Sequence, residues 1–132
     1  MGAWSHNSFD NDDALDWAAD LKDSKGTEAL VDALESVTGN AEDYIEAPES
    51  SIAIAAAEVV AAMNGKGAGS LPPEVNEWLK GQSVAGPALT AKARSAVDAV
   101  LSNSELKELW EENEDDFPRW TALLNDLKSR LS

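Results

Sequence analysis

Pro48-Glu49-Ser50-Ser51-Ile52-Ala53-Ile54-Ala55-Ala56-Ala57-Glu58-Val59-Val60-Ala61-Ala62-Met63 is the stretch that decides the fold. Proline suits the first turn of a helix. The run is apolar on most sides, so it reads as a helix enclosed by others rather than one lying on a surface. Its alanines allow neighbouring helices to approach closely. Its most apolar part, Ile52 to Met63, is interrupted by Glu58 and falls far short of the roughly 20 residues a membrane helix requires. Asn64-Gly65-Lys66-Gly67-Ala68-Gly69-Ser70 ends it and begins a loop.

Working outward, both flanks repeat a helical period. Upstream, Ala14, Leu15, Ala18 and Leu21 predict a helix over 12–22, capped by Asp10 or Asn11. Leu30, Val31, Leu34 and Val37 predict a second over 27–38, stopped by Gly39-Asn40. Downstream, Pro72-Pro73-Glu74 opens a short helix carrying Val75, Trp78 and Leu79. A helix over 88–101 follows with Leu89, Ala93, Ala96, Val97 and Val100 inward. Asn103 or Ser104 caps a sixth helix holding Leu106, Leu109 and Trp110. Asp115 or Asp116 caps the last, whose stripe is Trp120, Leu123, Leu124, Leu127 and Leu131. No stretch alternates like a strand, and no heptad persists for three or four repeats. The expectation is all-α: one domain over 1–132, a compact irregular bundle of about six or seven helices around the Ala-rich helix at 49–63.

A chain of 132 residues suits one domain and buries roughly two-thirds of its unfolded surface. There is no cysteine, which excludes disulfides, thiolate metal sites and cysteine nucleophiles. Met1-Gly2-Ala3-Trp4-Ser5-His6 does not complete a myristoylation signal, because His6 stands where Ser or Thr is required. No secretory leader is visible, so the expected compartment is the cytoplasm. The net charge is −15 and is uneven. Residues 1–66 hold 14 acids and 3 bases, whereas residues 67–132 hold 11 acids and 7 bases. Such a field repels nucleic acid phosphates and anionic lipid, and speeds encounter with a basic protein.

At Gly2-Ala3-Trp4, Phe9-Asp10-Asn11-Asp12-Asp13-Ala14 and Trp17 the chain resembles a bacterial family of domains of unknown function, numbered 4259. Leu71-Pro72-Pro73-Glu74 with Trp78-Leu79 is similar to that family's middle segment. Ser104-Glu105-Leu106-Lys107-Glu108-Leu109-Trp110-Glu111-Glu112, with Trp120 and Leu127, is similar to its carboxy-terminal part. Where the family favours glycines just after the first tryptophan, Ser5 and Asn7 stand here. The resemblance implies a bacterial source and a helical domain, and brings no activity, substrate or catalytic residue.

The candidate site is acidic. Asp12, Asp16, Asp20 and Asp23 line one face of the first helix, and Glu28, Asp32 and Glu35 one face of the second. Like charges at i, i+4 cost a few tenths of a kcal/mol each, and no base four residues along relieves the first set. Trp4 and Phe9 precede the first helix as candidate stapling or contact aromatics. Asp10-Asn11-Asp12 fails as a calcium loop, since Leu15 and Leu21 occupy the positions that need Gly and Glu. Gly65-Lys66-Gly67-Ala68-Gly69-Ser70 follows a helix and lacks the phosphate-loop pattern. Glu58, on a buried helix, needs a partner, for which Lys92 and Arg94 are the candidates. No metal or cofactor site is assigned, and no catalytic residue.

Three functions are carried forward. The first is a non-catalytic interaction module that binds a basic protein, in the manner of small acidic immunity proteins or antitoxins. The second is a metal-dependent nucleotide hydrolase using Glu111, Glu112, Asp115 and Glu58. The third is a self-associating structural protein, which would require an exposed stripe on the last helix.

Overall fold

A computed structural model describes residues 12–23, 27–38, 45–66, 71–102, 104–112 and 114–131. Seven helices follow one another: α1 (Asp12–Lys22), α2 (Glu28–Thr38), α3 (Ala47–Met63), α4 (Pro73–Leu79), α5 (Pro87–Ser102), α6 (Glu105–Glu111) and α7 (Phe117–Arg130). The fold is all-α, an irregular bundle around α3, and no strand forms among the described residues. No helix in this set is long and apolar enough to cross a membrane.

α3 is the hub because its side chains are small and apolar on nearly every side. Ala53, Ala55, Ala56, Ala57, Val59, Val60 and Ala61 are fully buried. α2 and α5 flank it closely and also pack on each other, while α1 packs on α4 and α3, and α7 on α5 and α3. Each outer helix contributes one stripe: Ala14, Trp17, Ala18 and Leu21 from α1; Leu30, Ala33, Leu34 and Val37 from α2; Ala93, Ala96, Val97 and Val100 from α5. Leu15, Val31, Leu89, Leu109 and Leu123, expected inside, sit at the half-buried margins of their stripes. The α7 stripe of Trp120, Leu124, Leu127 and Leu131 is buried. Trp120 stacks against Trp110 of α6 at 6.5 Å between ring centres.

Both ends of α3 are fastened. At its start, Ala47 N–H donates to Glu105 Oε1 at 2.9 Å, which satisfies a first-turn amide that no upstream carbonyl reaches. Ile45 and Ser104 form an isolated parallel bridge beside it, with Glu105 N–H donating to the Ile45 carbonyl at 2.7 Å. At its end, Gly65 adopts φ +75°. Its amide reaches Ala62 O at 3.0 Å and the Lys66 amide reaches Ala61 O at 2.8 Å, the paired closure that favours glycine just past a helix. Ser104 caps α6: its Oγ accepts from Lys107 N–H at 3.0 Å and donates to Val100 O at 2.7 Å. Asp116 occupies the capping position of α7 without a side-chain capping bond, and instead lies 3.7 Å from Arg119.

Candidate functional site

The buried stripes of α1 and α2 dictate where their acids go. With Ala14, Trp17, Ala18 and Leu21 turned inward, Asp16, Asp20 and Asp23 are exposed and Asp13 is half-exposed. With Leu30, Ala33, Leu34 and Val37 inward, Glu28, Asp32 and Glu35 are exposed. Asp12 opens α1, and its side chain lies outside the described residues. Trp4, Phe9, His6 and the capping candidates Asp10 and Asn11 also lie outside them.

The two acidic stripes ride on helices with different neighbours. α1 rests on α4 and α3, whereas α2 rests on α3 and α5, so the helices are not packed face to face as a pair. Glu35 is engaged by Lys92 of α5 at 2.8 Å. Asp16, Asp20, Asp23, Glu28 and Asp32 make no ion pair among the described residues. The only described base on α1, Lys22, reaches instead towards Glu77 of α4 at 4.0 Å with both side chains exposed.

Glu58 corrects the sequence reading. It is buried as expected, yet neither Lys92 nor Arg94 meets it: Lys92 turns to Glu35, and Arg94 is exposed. Its partner is Arg130, in the last turn of α7, which contacts Glu58 Oε1 through Nη1 and Oε2 through Nη2 at 3.2 Å. Arg130 also donates to Asp126 Oδ2 at 2.9 Å and to the Lys66 carbonyl at 3.0 Å. The Glu58 hydrogen bond raises the guanidinium pKa above its ordinary value, against burial, which lowers it. A basic residue ending a helix is ordinarily explained by the helix dipole, which is why sequence reasoning passed over it.

Glu111, Glu112 and Asp115 are exposed in and just after α6, where they border the connection to α7. Glu111 lies 3.9 Å from Lys107. Glu58 is engaged through both oxygens by Arg130. No group of three or more His, Asp or Glu among the described residues is placed to hold a metal ion.

No curated protein and no solved structure is significantly similar to the chain. The family described as a domain of unknown function (DUF4259) matches residues 2–122, from the amino-terminal Gly2-Ala3-Trp4 into α7. The matched span contains α1 to α6 and, apart from Leu127, the three segments that carried the resemblance, and the chain belongs to this family.

Proposed function

We propose that this protein is a non-catalytic interaction module of the bacterial cytoplasm whose acidic amino-terminal helices engage a basic protein, as an immunity protein or antitoxin does. What supports the reading is where charge is left unneutralised. Asp16, Asp20, Asp23, Glu28 and Asp32 are exposed and without an ion pair among the described residues. Outside α1 and α2, Glu58, Glu77, Asp98, Glu111, Asp116 and Asp126 each meet a Lys or Arg, while Glu46, Glu112, Glu114 and Asp115 are exposed and make no ion pair among the described residues. A partner bearing lysines or arginines would supply to Asp16, Asp20, Asp23, Glu28 and Asp32 the counter-charges that the described residues do not give them. The resulting pairs would be rim-type contacts, which govern association rate and selectivity more than residence time.

The test uses the full chain as bait in extracts of the source bacterium, beside the double variant Asp16→Lys, Asp20→Lys. The expected partner is basic, is lost by the variant, and binds at least about tenfold more weakly at ~300 mM than at ~50 mM salt. A partner indifferent to salt, or one that the variant retains, overturns the proposal.

A further inference from the structure

At one end of the bundle the closing turn of α3, the segment before α5, the first turns of α5 and the end of α7 enclose an open groove of about 540 Å³. Its apolar surface comes from Val84, Ala85, Pro87, Ala91 and Leu131. Val84 is 74% exposed, and it is the one large hydrophobic residue that is exposed among the described residues. The wall is preformed. Asn64 Oδ1 accepts from Ala85 N–H at 2.9 Å and Asn64 Nδ2 donates to Thr90 Oγ1 at 3.2 Å, which ties the 82–86 segment and α5 to the end of α3. Arg130 holds the Lys66 carbonyl at 3.0 Å and so fixes the backbone from which the Lys66 side chain projects.

The charge in this groove runs against the rest of the molecule. Nine lysines and arginines are described, and six of them pair with acids: Lys22, Lys92, Lys107, Arg119, Lys128 and Arg130. Lys66, Lys80 and Arg94 make no ion pair among the described residues, and Lys66 and Arg94 both line this groove. In a chain with 25 acids and 10 bases, acids are abundant enough to neutralise every cation. Two cations without an ion pair among the described residues therefore border the same apolar surface, and the positive end of the α5 dipole lies at the same wall.

We propose that the groove binds a small amphipathic monoanion: an organic carboxylate whose charge is met by Lys66 and Arg94 and whose apolar body covers Val84, Ala85 and Leu131. The volume lies within the usual range for small-molecule sites. The net charge of −15 selects against larger anionic occupants, because an acidic protein or a polyphosphate is repelled by the whole molecule whereas one charge is repelled little. The site is independent of the acidic helices, and neither proposal stands or falls with the other.

The test is a titration of the isotopically labelled full chain with 4-phenylbutyrate, followed by amide nuclear magnetic resonance. Its neutral counterpart 4-phenylbutanol and inorganic phosphate are run alongside. The expected result is saturable shifts at Ala85, Thr90 and Ala91 with a Kd on the order of 1 mM, as suits so small a ligand. The double variant Lys66→Glu, Arg94→Glu changes exposed side chains and keeps the parent spectrum elsewhere. Its affinity is expected to fall at least about tenfold, and the alcohol should bind at least about fivefold more weakly than the carboxylate. Absence of saturation by ~10 mM overturns the proposal. So does equal binding of the alcohol, unchanged affinity in the variant, or inorganic phosphate alone reproducing the shifts.

Discussion

Glu58 is 2% exposed and Arg130 is 21% exposed, so the two halves of their ion pair have unequal routes to water. Arg130→Ala removes the two-armed guanidinium contact from a carboxylate buried on α3, and should cost about 3 kcal/mol or more. Glu58→Met leaves an arginine that can turn outward and keep Asp126, and should cost less than half as much. Urea unfolding of the two variants checks this, and equal losses would contradict it. The arginine itself adds no pH dependence in the ordinary range. A raised cation pKa contributes stability that is intact below the unfolded value and is lost only as pH rises through the folded one. At this scale the sequence disclosed that Glu58 would be buried and in need of a partner. It could not disclose which cation, because the choice depends on the register of α5 and the docking of α7, and Arg130 lies 72 residues along the chain.

The helices themselves were legible to within one or two residues, because period and punctuation agree. Glycine closes α3, prolines open α3, α4 and α5, and apolar spacing sets every inward face. Half-burial of Val31 and Leu89 was not legible, since the edge of a stripe is fixed by the size of the neighbouring helix rather than by the helix's own sequence. Two changes probe this scale. Ala56→Leu forces three extra carbons into a fully buried position on α3, and should cost about 1–3 kcal/mol or more through overpacking. Ser104→Ala removes the α6 cap and the bond back to Val100 O, and should cost about 1–2 kcal/mol. Thermal unfolding of each variant gives the answer. A change within error of the parent at Ala56 would mean that α3 is not enclosed.

For the molecule as a whole, the acidic composition was plain from the sequence, and its uneven neutralisation was not. Which acids acquire partners depends on tertiary approach, as when Lys128 of α7 meets Asp98 of α5 and Lys92 meets Glu35. A chain carrying −15 repels itself, so its unfolding midpoint should rise between ~20 and ~300 mM sodium chloride as that repulsion is screened. A flat or falling midpoint would count against it. Asp16→Lys and Asp20→Lys should each, made singly, stabilise by a few tenths of a kcal/mol by relieving like-charge neighbours on α1, and the double variant, which sets two lysines at i, i+4, should stay within ~0.5 kcal/mol of the parent. Loss of partner binding in that variant would then reflect recognition and not unfolding.

The contact between residues 58 and 130 also has a bearing on biosynthesis. At ~5–20 residues per second, a ribosome takes roughly 4–14 s to travel the 72 residues between them. Throughout that interval the emerging polypeptide lacks the guanidinium that grips Glu58 through both oxygens in the folded protein, and sealing the carboxylate into a dry interior without it is unfavourable. The nascent chain should therefore stay open to proteases until the final turn has left the exit tunnel, and close as a unit afterwards.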